Sequence, residues 1–210
     1  MIFNEKDTIL FMGDSITDGA RTRSDPNHLG LTYVGIAAGM IQNYHPELRL
    51  KFYNRGVGGD SIRELKSRWK EDALSLQPDW LSISIGINDV WRNFKNSPNG
   101  IGIEEFKETY HHLIKETKNT LPNCKIILCE TSIIWQDLSS EANQALEEYN
   151  EFIRQLATDN KLILVRMQDA FRKAITSWPD YQWTNDGVHT SCEGSTTMAL
   201  AWLKAVEFSF

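Results

Sequence analysis

Short apolar segments alternate with longer amphipathic segments along most of the chain, and this alternation restricts the possible folds more than any other feature. The apolar segments predict strands at Thr8–Met12, Leu48–Tyr53, Trp80–Ile85, Lys125–Cys129 and Leu162–Val165. The amphipathic segments predict helices at Thr32–Tyr44, Ile62–Leu76, Glu104–Thr120, Glu141–Thr158 and Glu193–Val206. Because strands that alternate with helices favour a parallel sheet covered on both faces, the sequence predicts a three-layer α/β/α fold with five parallel strands.

Length and composition limit the organisation of the chain and its partners. The 210 residues contain no internal repeat, low-complexity segment or change of composition, so residues 1–210 are predicted to form one domain. A net charge of −6 without a basic stripe argues against a nucleic-acid partner, because nothing would neutralise the phosphates. The charged residues between Arg63 and Asp72 are typical of a solvated helix face, and no function is assigned to them.

Apolar runs and cysteines bear on the cellular location. No apolar run approaches the roughly 18 residues of a membrane-spanning helix, and the first residues lack the features of a signal peptide. Cys124 and Cys129 would point to opposite faces of a strand, so they are interpreted as unpaired core thiols. We expect a cytoplasmic protein, although a secreted protein that has lost its signal peptide would show the same pattern.

Polar and glycine-rich blocks follow three of the predicted strands. The first strand ends in Gly13–Ser15, the second leads to Gly56–Gly59, and the third leads to Asn88 and Asp89. A fourth block, Asp186–His189, stands before the last predicted helix. Because ligands of open α/β sheets bind at the carboxyl ends of the strands, we expect the first three blocks to share one cleft. The fourth block joins them if its loop returns to that edge of the sheet.

The four blocks contain the groups that acyl transfer through a serine requires. Ser15 would attack the acyl carbon, His189 would accept the serine proton and return it to the leaving group, and Asp186 would orient the imidazole. The backbone N–H groups of Ser15 and Gly59 and the side-chain NH₂ of Asn88 would form the oxyanion hole. This combination predicts a serine esterase.

The same blocks resemble the SGNH hydrolase superfamily, which includes the GDSL family of lipases and esterases. The four residue types in the superfamily's name match Ser15 in GDSIT, Gly59 in NRGVGGDS, Asn88 in GIND and His189 in DGVH. The resemblance extends over nearly the whole chain, and it implies a flavodoxin-like α/β/α sheet and no metal or organic cofactor. One departure is Thr190-Ser191, where many relatives have proline and asparagine, and this difference affects loop rigidity more than chemistry.

The resemblance also implies a substrate class. We expect short-chain esters, especially acetyl esters, of carbohydrates or other small alcohols. Two alternatives stay open at this point. One is a lysophospholipase or acyl-thioesterase that acts on longer acyl chains, and the other is a non-catalytic relative that binds carbohydrate.

Further residues are candidates for substrate binding. Trp91, Trp135 and Trp183 each follow a strand or precede the fourth block, so they could form an apolar wall or a platform for a sugar ring. Packing in the core explains them equally well. Asp14, beside the proposed nucleophile, is the remaining candidate. As an aspartyl-phosphate nucleophile it would lack its companion aspartate, because Ile16 occupies that position.

Each block also has a simpler explanation when it is considered alone. Ser15 could be a turn residue or a helix cap. Gly56–Gly59 could belong to a dinucleotide-binding motif, but Ser61 stands where that motif needs its third glycine. Asn88 could shape a turn, and this structural role is the preferred interpretation of Asp89. The ordered combination of the blocks favours catalysis over these separate explanations.

Overall fold

A five-stranded parallel sheet forms the centre of the computed structural model, which describes residues 1–95, 97 and 99–209. The strand order is β2-β1-β3-β4-β5, which is the flavodoxin-like order. The strands are β1 at Thr8–Gly13, β2 at Lys51–Gly56, β3 at Trp80–Ser84, β4 at Lys125–Cys129 and β5 at Ile163–Val165. The structure confirms the predicted fold class.

Helices cover the two faces of the sheet in two groups. One group contains α2, α8 and α9, while α3, α5, α6 and α7 contact one another on the other face. The helices are α1 at Ser15–Asp18, α2 at Tyr33–Tyr44, α3 at Ile62–Ser67, α4 at Trp69–Asp72, α5 at Ile87–Phe94, α6 at Ile103–Thr120, α7 at Glu141–Asn160, α8 at Met167–Ser177 and α9 at Cys192–Ala205. Every residue of the central strand β3 is therefore buried. Its residues Trp80, Leu81 and Ile83 are apolar, and the buried Ser82 hydroxyl accepts a hydrogen bond of 3.0 Å from Trp202 Nε1.

The carboxyl ends of β1 and β2 are built for a close approach by α1. Gly13 and Gly56 are partners in the parallel register. A Cβ atom on Gly56 would lie 2.2 Å from the backbone nitrogen of Asp18, and one on Gly13 would lie 2.2 Å from Thr17 Oγ1. Only glycine at these two positions lets the short helix pack directly on the strand ends, and this packing fixes the position of Ser15.

Two predicted elements differ from the structure by more than the one or two residues seen at the ends of the others. The second strand begins at Lys51 rather than Leu48, because a 3₁₀ turn at Pro46–Leu48 and a left-handed Arg49 precede it. The predicted helix Ile62–Leu76 is divided into α3, α4 and a further 3₁₀ turn. The first break lies at Arg68, whose backbone leaves the helical conformation.

Three helices are absent from the sequence-based prediction. They are α1, α5 and α8, and each begins shortly after a strand ends. Helix α5 starts immediately after Gly86, whose φ of 128° is available to glycine but rarely to other residues. This helix matters for the site because it carries Asn88 and Trp91 on consecutive turns.

The cysteines differ in their exposure. Cys129 is buried in β4, Cys124 lies just before this strand and is partly exposed, and Cys192 is exposed. All of them are unpaired. Burial raises the pKa of both Cys124 and Cys129 to about 12, so these thiols are protonated at neutral pH. The prediction of a core thiol is confirmed for Cys129, whereas Cys124 is only partly buried and packs against the core. None of the helices in the described ranges is long and apolar enough to cross a membrane.

Candidate active site

Ser15 is the first residue of α1 and lies at the carboxyl end of β1. The preceding residue, Asp14, caps this helix, because its Oδ1 accepts a hydrogen bond of 2.9 Å from the backbone N–H of Ile16. The sharp change from strand to helix presents the Ser15 hydroxyl at the edge of the sheet. The local sequence Gly-Asp-Ser thus provides close packing, a cap and a hydroxyl in succession.

A continuous chain of hydrogen bonds joins Ser15, His189 and Asp186. Ser15 Oγ lies 2.9 Å from His189 Nε2, and His189 Nδ1 lies 2.6 Å from Asp186 Oδ2. The other carboxylate oxygen of Asp186 accepts backbone hydrogen bonds from Val188 at 3.0 Å and His189 at 2.7 Å. Both carboxylate oxygens are therefore engaged, and the carboxylate holds the imidazole with one nitrogen towards the serine.

The environment of Asp186 favours its ionised form. Partial burial alone would raise its pKa, but hydrogen bonds from the His189 ring and from the backbone of His189 and Val188 outweigh that effect. The pKa of Asp186 consequently lies below its ordinary value. A carboxylate at neutral pH accepts the proton on Nδ1, so Nε2 is left as the acceptor that faces Ser15.

The loop that carries His189 is held at both ends. The backbone N–H of Asn185 donates to the His189 carbonyl at 2.7 Å, and an antiparallel bridge joins Thr184 to Thr190. Thr190 is buried and its Oγ1 lies 2.6 Å from Ser195 Oγ. Ser191 caps α9 through a bond of 3.1 Å from the N–H of Gly194. The residues at the Thr190-Ser191 departure therefore contribute hydrogen bonds to the loop.

Trp135 packs directly on this loop. The φ of Gly187 is 95°, and a Cβ atom there would lie 2.1 Å from Cδ1 of the Trp135 ring. The backbone N–H of Trp135 also donates to the Gly187 carbonyl at 2.6 Å. Glycine is thus required between Asp186 and His189, both for the backbone conformation and for the close approach of the indole.

A glycine turn and an asparagine stand beside Ser15. Gly59 has a φ of 86°, and a Cβ atom on the neighbouring Gly58 would lie 3.8 Å from Ser15 Cβ. Asn88, in the first turn of α5, donates from Nδ2 to the Asp60 carbonyl at 2.9 Å. This bond uses one of the two amide hydrogens of Asn88, so the other is available to a ligand.

Buried carboxyl groups lie behind the site. Asp14 is 3% exposed, and burial raises its pKa to about 7 although the Ile16 N–H opposes this effect. Asp89 is fully buried with its pKa also raised to about 7, and it accepts bonds of 3.0 and 3.2 Å from the N–H of Ile62. The side chain of Asp89 thus joins α5 to the start of α3, and that of Asp14 has little surface with which to contact a ligand.

The three tryptophans that are candidates for substrate binding fall into two separate groups. Trp91 and Trp135 form an edge-to-face pair with their ring centroids 5.0 Å apart, and Lys95 Nζ lies 4.9 Å from the Trp91 ring. Trp183 instead contacts Tyr181, at a centroid distance of 5.0 Å, and donates from Nε1 to the Trp178 carbonyl at 3.2 Å. The structure therefore brings Trp91 and Trp135 together beside the His189 loop and leaves Trp183 in another aromatic group.

Two arginines near the glycine turn were not identified from the sequence. Arg68 is only 16% exposed, and it donates to the Gly13 carbonyl at 3.1 Å, the Arg55 carbonyl at 2.7 Å and the Asp60 carboxylate at 2.7 Å. Its interpretation as part of a solvated helix face is therefore wrong. Arg92 donates to the Gly59 carbonyl at 2.5 Å. Arg92 lies four residues after Asn88, and this spacing places both residues on one face of α5. The contact of Arg92 with the glycine turn could therefore be predicted only if α5 were predicted as a helix.

A separate question is whether the site could hold a metal ion. Across residues 1–95, 97 and 99–209, no group of three or more histidine, cysteine, aspartate or glutamate side chains is arranged to bind one. The polar groups around Ser15 are instead a hydroxyl, an imidazole, a carboxylate and amide donors. This arrangement can perform nucleophilic acyl transfer.

Comparisons with known proteins agree with this chemistry. Residues 11–196 match the GDSL-like lipase/acylhydrolase family. An acetylxylan esterase from Geobacillus stearothermophilus is 32% identical over 209 residues, which cover 96% of this chain and 94% of the relative.

Solved structures that match nearly the whole chain are also esterases or hydrolases. The crystal structure of the Geobacillus stearothermophilus acetylxylan esterase has a TM-score of 0.91 and covers 100% of this chain and 98% of that chain at 32% identity. Catalytic mutants of that esterase, in which a serine, an aspartate or a histidine is replaced by alanine, have TM-scores of 0.92. An alpha/beta hydrolase enzyme from the metagenome of Lake Arreo, Spain, is 28% identical with a TM-score of 0.92, and the match covers 99% of this chain and 98% of that chain.

Proposed function

The chain belongs to the GDSL-like lipase/acylhydrolase family and is a carboxylic ester hydrolase, and from this premise we propose that it removes acetyl groups from carbohydrates. The observation that carries the proposal is the hydrogen-bond chain from Ser15 Oγ through His189 to Asp186, with distances of 2.9 and 2.6 Å. The catalytic mutants of the similar acetylxylan esterase alter the same three residue types. They support the assignment of nucleophile, base and orienting carboxylate to these positions.

In the acylation step, Ser15 Oγ attacks the carbonyl carbon of the acetyl ester. The hydroxyl proton moves to His189 Nε2, and the Asp186 carboxylate stabilises the resulting imidazolium. The tetrahedral intermediate collapses with cleavage of the bond to the alcohol oxygen. That oxygen takes the proton from Nε2, so the alcohol leaves neutral and the acetyl group stays on Ser15.

In the deacylation step, a water molecule replaces the alcohol. His189 accepts a proton from the water as its oxygen attacks the acetyl carbon, and it returns the proton to Ser15 Oγ when the second tetrahedral intermediate collapses. The products of the cycle are acetate and the free alcohol. The serine and the imidazole regain their initial protonation states.

Each tetrahedral intermediate carries a negative charge on the former carbonyl oxygen. The backbone N–H groups of Ser15 and Gly59 and the second amide hydrogen of Asn88 are the proposed donors to this oxygen. Asn88 is suited to the role because its bond of 2.9 Å to the Asp60 carbonyl fixes the plane of its amide. A donor that is already oriented needs no reorganisation when the charge develops.

Two observations favour a small acyl group on a carbohydrate. The similar acetylxylan esterase aligns along nearly the whole of both chains, so the elements around the site correspond in the two proteins. In addition, the Trp91–Trp135 pair stands beside the His189 loop and offers aromatic surface of the kind on which sugar rings pack. Trp135 is the better supported candidate because it contacts Gly187 directly.

The experiment compares acyl lengths and alcohol groups in one assay series. Aryl esters from acetyl to decanoyl test the acyl preference, and acetylated xylo-oligosaccharides test the alcohol, with Ser15→Ala as the control for background hydrolysis. We expect the highest kcat/KM for acetyl esters and release of acetate from the sugar. A preference for octanoyl or longer esters would support the lysophospholipase or thioesterase alternative. No turnover by the folded wild-type protein would support a non-catalytic carbohydrate-binding role.

A further inference from the structure

Helix α5 holds the glycine turn through two side chains that are one helical turn apart. Asn88 Nδ2 donates to the carbonyl of Asp60 at 2.9 Å, and Arg92 Nη2 donates to the carbonyl of Gly59 at 2.5 Å. Residues four apart lie on the same face of a helix, so both donors reach the turn from one side. Two consecutive carbonyl groups of the turn are therefore fixed by one rigid element.

The turn needs such support because its conformation decides where the Gly59 N–H points. Val57 to Asp60 form a β-turn that is closed by a bond of 3.2 Å from the Asp60 N–H to the Val57 carbonyl. The φ of 86° places Gly59 at the third position of a type II turn. Type I and type II turns differ in the orientation of the central peptide, which here carries the Gly59 N–H.

Packing does little to restrict this peptide. A Cβ atom on Gly59 would meet no described neighbour closer than Arg92 Nη2, at 4.0 Å. At Gly13 and Gly56, by contrast, the corresponding contacts are 2.2 Å. Two successive glycines, Gly58 and Gly59, also give the backbone more conformational freedom than other residues would. Hydrogen bonds to the turn must therefore supply most of the restraint on Gly59.

Arg92 is itself held in place on its other side. Its Nη1 lies 3.4 Å from Glu64 Oε2, and the same oxygen accepts a bond of 2.8 Å from the backbone N–H of Ser61 at the start of α3. Burial opposes the ionisation of Glu64, but the bonds from Ser61 and the charge of Arg92 keep its pKa below the ordinary value. The guanidinium thus joins the glycine turn to an anchored carboxylate, and its side chain is 27% exposed.

We propose that Arg92 is a positioning residue of the oxyanion hole. By holding the Gly59 carbonyl, it keeps the turn in the conformation that directs the Gly59 N–H towards the oxygen of the tetrahedral intermediate. A guanidinium suits this role because it can donate to the carbonyl and to Glu64 at the same time, whereas an ammonium group binds as a single point. The inference rests on the proposed function, since it assigns Arg92 a role in the same ester hydrolysis.

The test measures kcat and KM separately for a small aryl acetate with Arg92→Met, Arg92→Ala and Arg92→Lys. Arg92→Met keeps a long side-chain stem and removes every donor, so it guards against loss of packing. We expect kcat to fall by about 10- to 100-fold with KM little changed, because a misdirected donor weakens only transition-state binding. Arg92→Lys should recover part of kcat.

Arg63→Ala is the matched control. Arg63 forms bonds of 2.9 and 2.8 Å to Glu105 on the surface and does not contact the turn. This variant should retain the wild-type kcat while losing a comparable arginine–glutamate pair. A similar fall of kcat in Arg63→Ala would contradict a specific role for Arg92.

A double-mutant cycle with Asn88→Ala tests whether Arg92 acts through the turn. The combined loss in Asn88→Ala/Arg92→Met should be smaller than the product of the single losses, because both side chains hold the same turn. Normal kcat in folded Arg92→Met would overturn the proposal. So would a raised KM for an acetylated sugar with unchanged kcat on the aryl acetate, since that result would make Arg92 a substrate contact. Wild-type turnover that is lost in Ser15→Ala establishes Ser15-dependent ester hydrolysis in the same assay, so either result would count against the positioning role alone.

Discussion

Ser15 Oγ and His189 Nε2 lie 2.9 Å apart although the two residues are separated by 174 positions in the sequence. Ser15 is placed by β1 and α1, which pack together through Gly13 and Gly56. His189 is placed by a loop that is bridged at its base and continues into α9, which packs against α2 and β5. The contact therefore depends on the assembly of the sheet with its covering helices, and not on any local segment.

The first prediction concerns the two oxygens of Asp186. Oδ1 accepts from the backbone N–H groups of Val188 and His189, so an asparagine here would keep its oxygen on that side and turn its NH₂ towards His189. The imidazole would then have to accept at Nδ1 and carry its proton on Nε2, which cannot deprotonate Ser15. We expect Asp186→Asn to lose about 10⁴-fold in kcat, as this substitution does in serine proteases.

Asp186→Ala is the comparison that makes this prediction specific. Without a donor opposite Nδ1, the imidazole can still adopt the productive tautomer for part of the time. Asp186→Ala should therefore retain more activity than Asp186→Asn when both are assayed on the same aryl acetate. The reverse order, with folded proteins, would contradict the tautomer argument and would show that the bonds from the Val188 and His189 N–H groups to Oδ1 matter more.

The second prediction concerns the buried carboxyl of Asp14. Burial raises its pKa from the ordinary 3.8 to about 7, so the folded protein binds a proton here that the unfolded chain releases. This group therefore lowers the free energy of unfolding as the pH rises from about 4 to about 7. Asparagine caps helices as well as aspartate does, and it has no charge to bury.

Asp14→Asn should accordingly be more stable than the wild type at pH 8, by on the order of 2 kcal/mol, and less different at pH 4. Urea unfolding at both pH values measures this difference directly. Asp180→Asn is a suitable control, because Asp180 is exposed and the substitution removes a carboxylate that is not buried. An equal or larger gain at pH 4 would contradict the assignment of a raised pKa to Asp14.

The third prediction separates the two groups of tryptophans. Trp91 pairs with Trp135 beside the His189 loop, whereas Trp183 packs with Tyr181. If the first pair binds sugar, Trp91→Ala should raise KM for an acetylated xylo-oligosaccharide much more than KM for an aryl acetate. Trp183→Ala should leave both KM values close to the wild type. Unchanged KM for the sugar in folded Trp91→Ala would remove the platform hypothesis for Trp91 and favour a packing role for this residue.

Most of the sheet can be predicted from the sequence because buried parallel strands leave a direct signature. The segment of residues 9–12, for example, is buried at every position and contains only apolar residues. The beginning of β2 is less predictable, because Leu48 continues the apolar pattern while a left-handed Arg49 interrupts the backbone. Backbone turns of this kind are set by neighbouring structure and are not visible in hydrophobicity.

The site was accessible to sequence reasoning to the extent that its residues follow strands. Ser15, Gly59 and Asn88 all lie at or just beyond strand ends, and parallel topology brings such ends together. Arg68 and Arg92 were not accessible in this way, because their partners are backbone carbonyls of residues distant in sequence. An arginine on a charged helix has the same local pattern whether it is solvated or donates to backbone carbonyls of distant residues.

The last prediction concerns Asn88 as a side-chain donor to the oxyanion. Its Nδ2 already donates to the Asp60 carbonyl at 2.9 Å, which leaves one amide hydrogen for the charge that develops in the tetrahedral intermediate. Because the ground-state carbonyl carries little of this charge, Asn88→Ala should lower kcat by about 10²- to 10³-fold with KM little changed. The loss should be smaller than in Ser15→Ala, since the backbone donors of Ser15 and Gly59 remain. Asn88→Asp should be worse than alanine, because a carboxylate would repel both the oxyanion and the Asp60 carbonyl. Near-normal kcat in folded Asn88→Ala, with chemistry rate-limiting, would reduce Asn88 to a support for the glycine turn and leave the oxyanion hole to backbone groups alone.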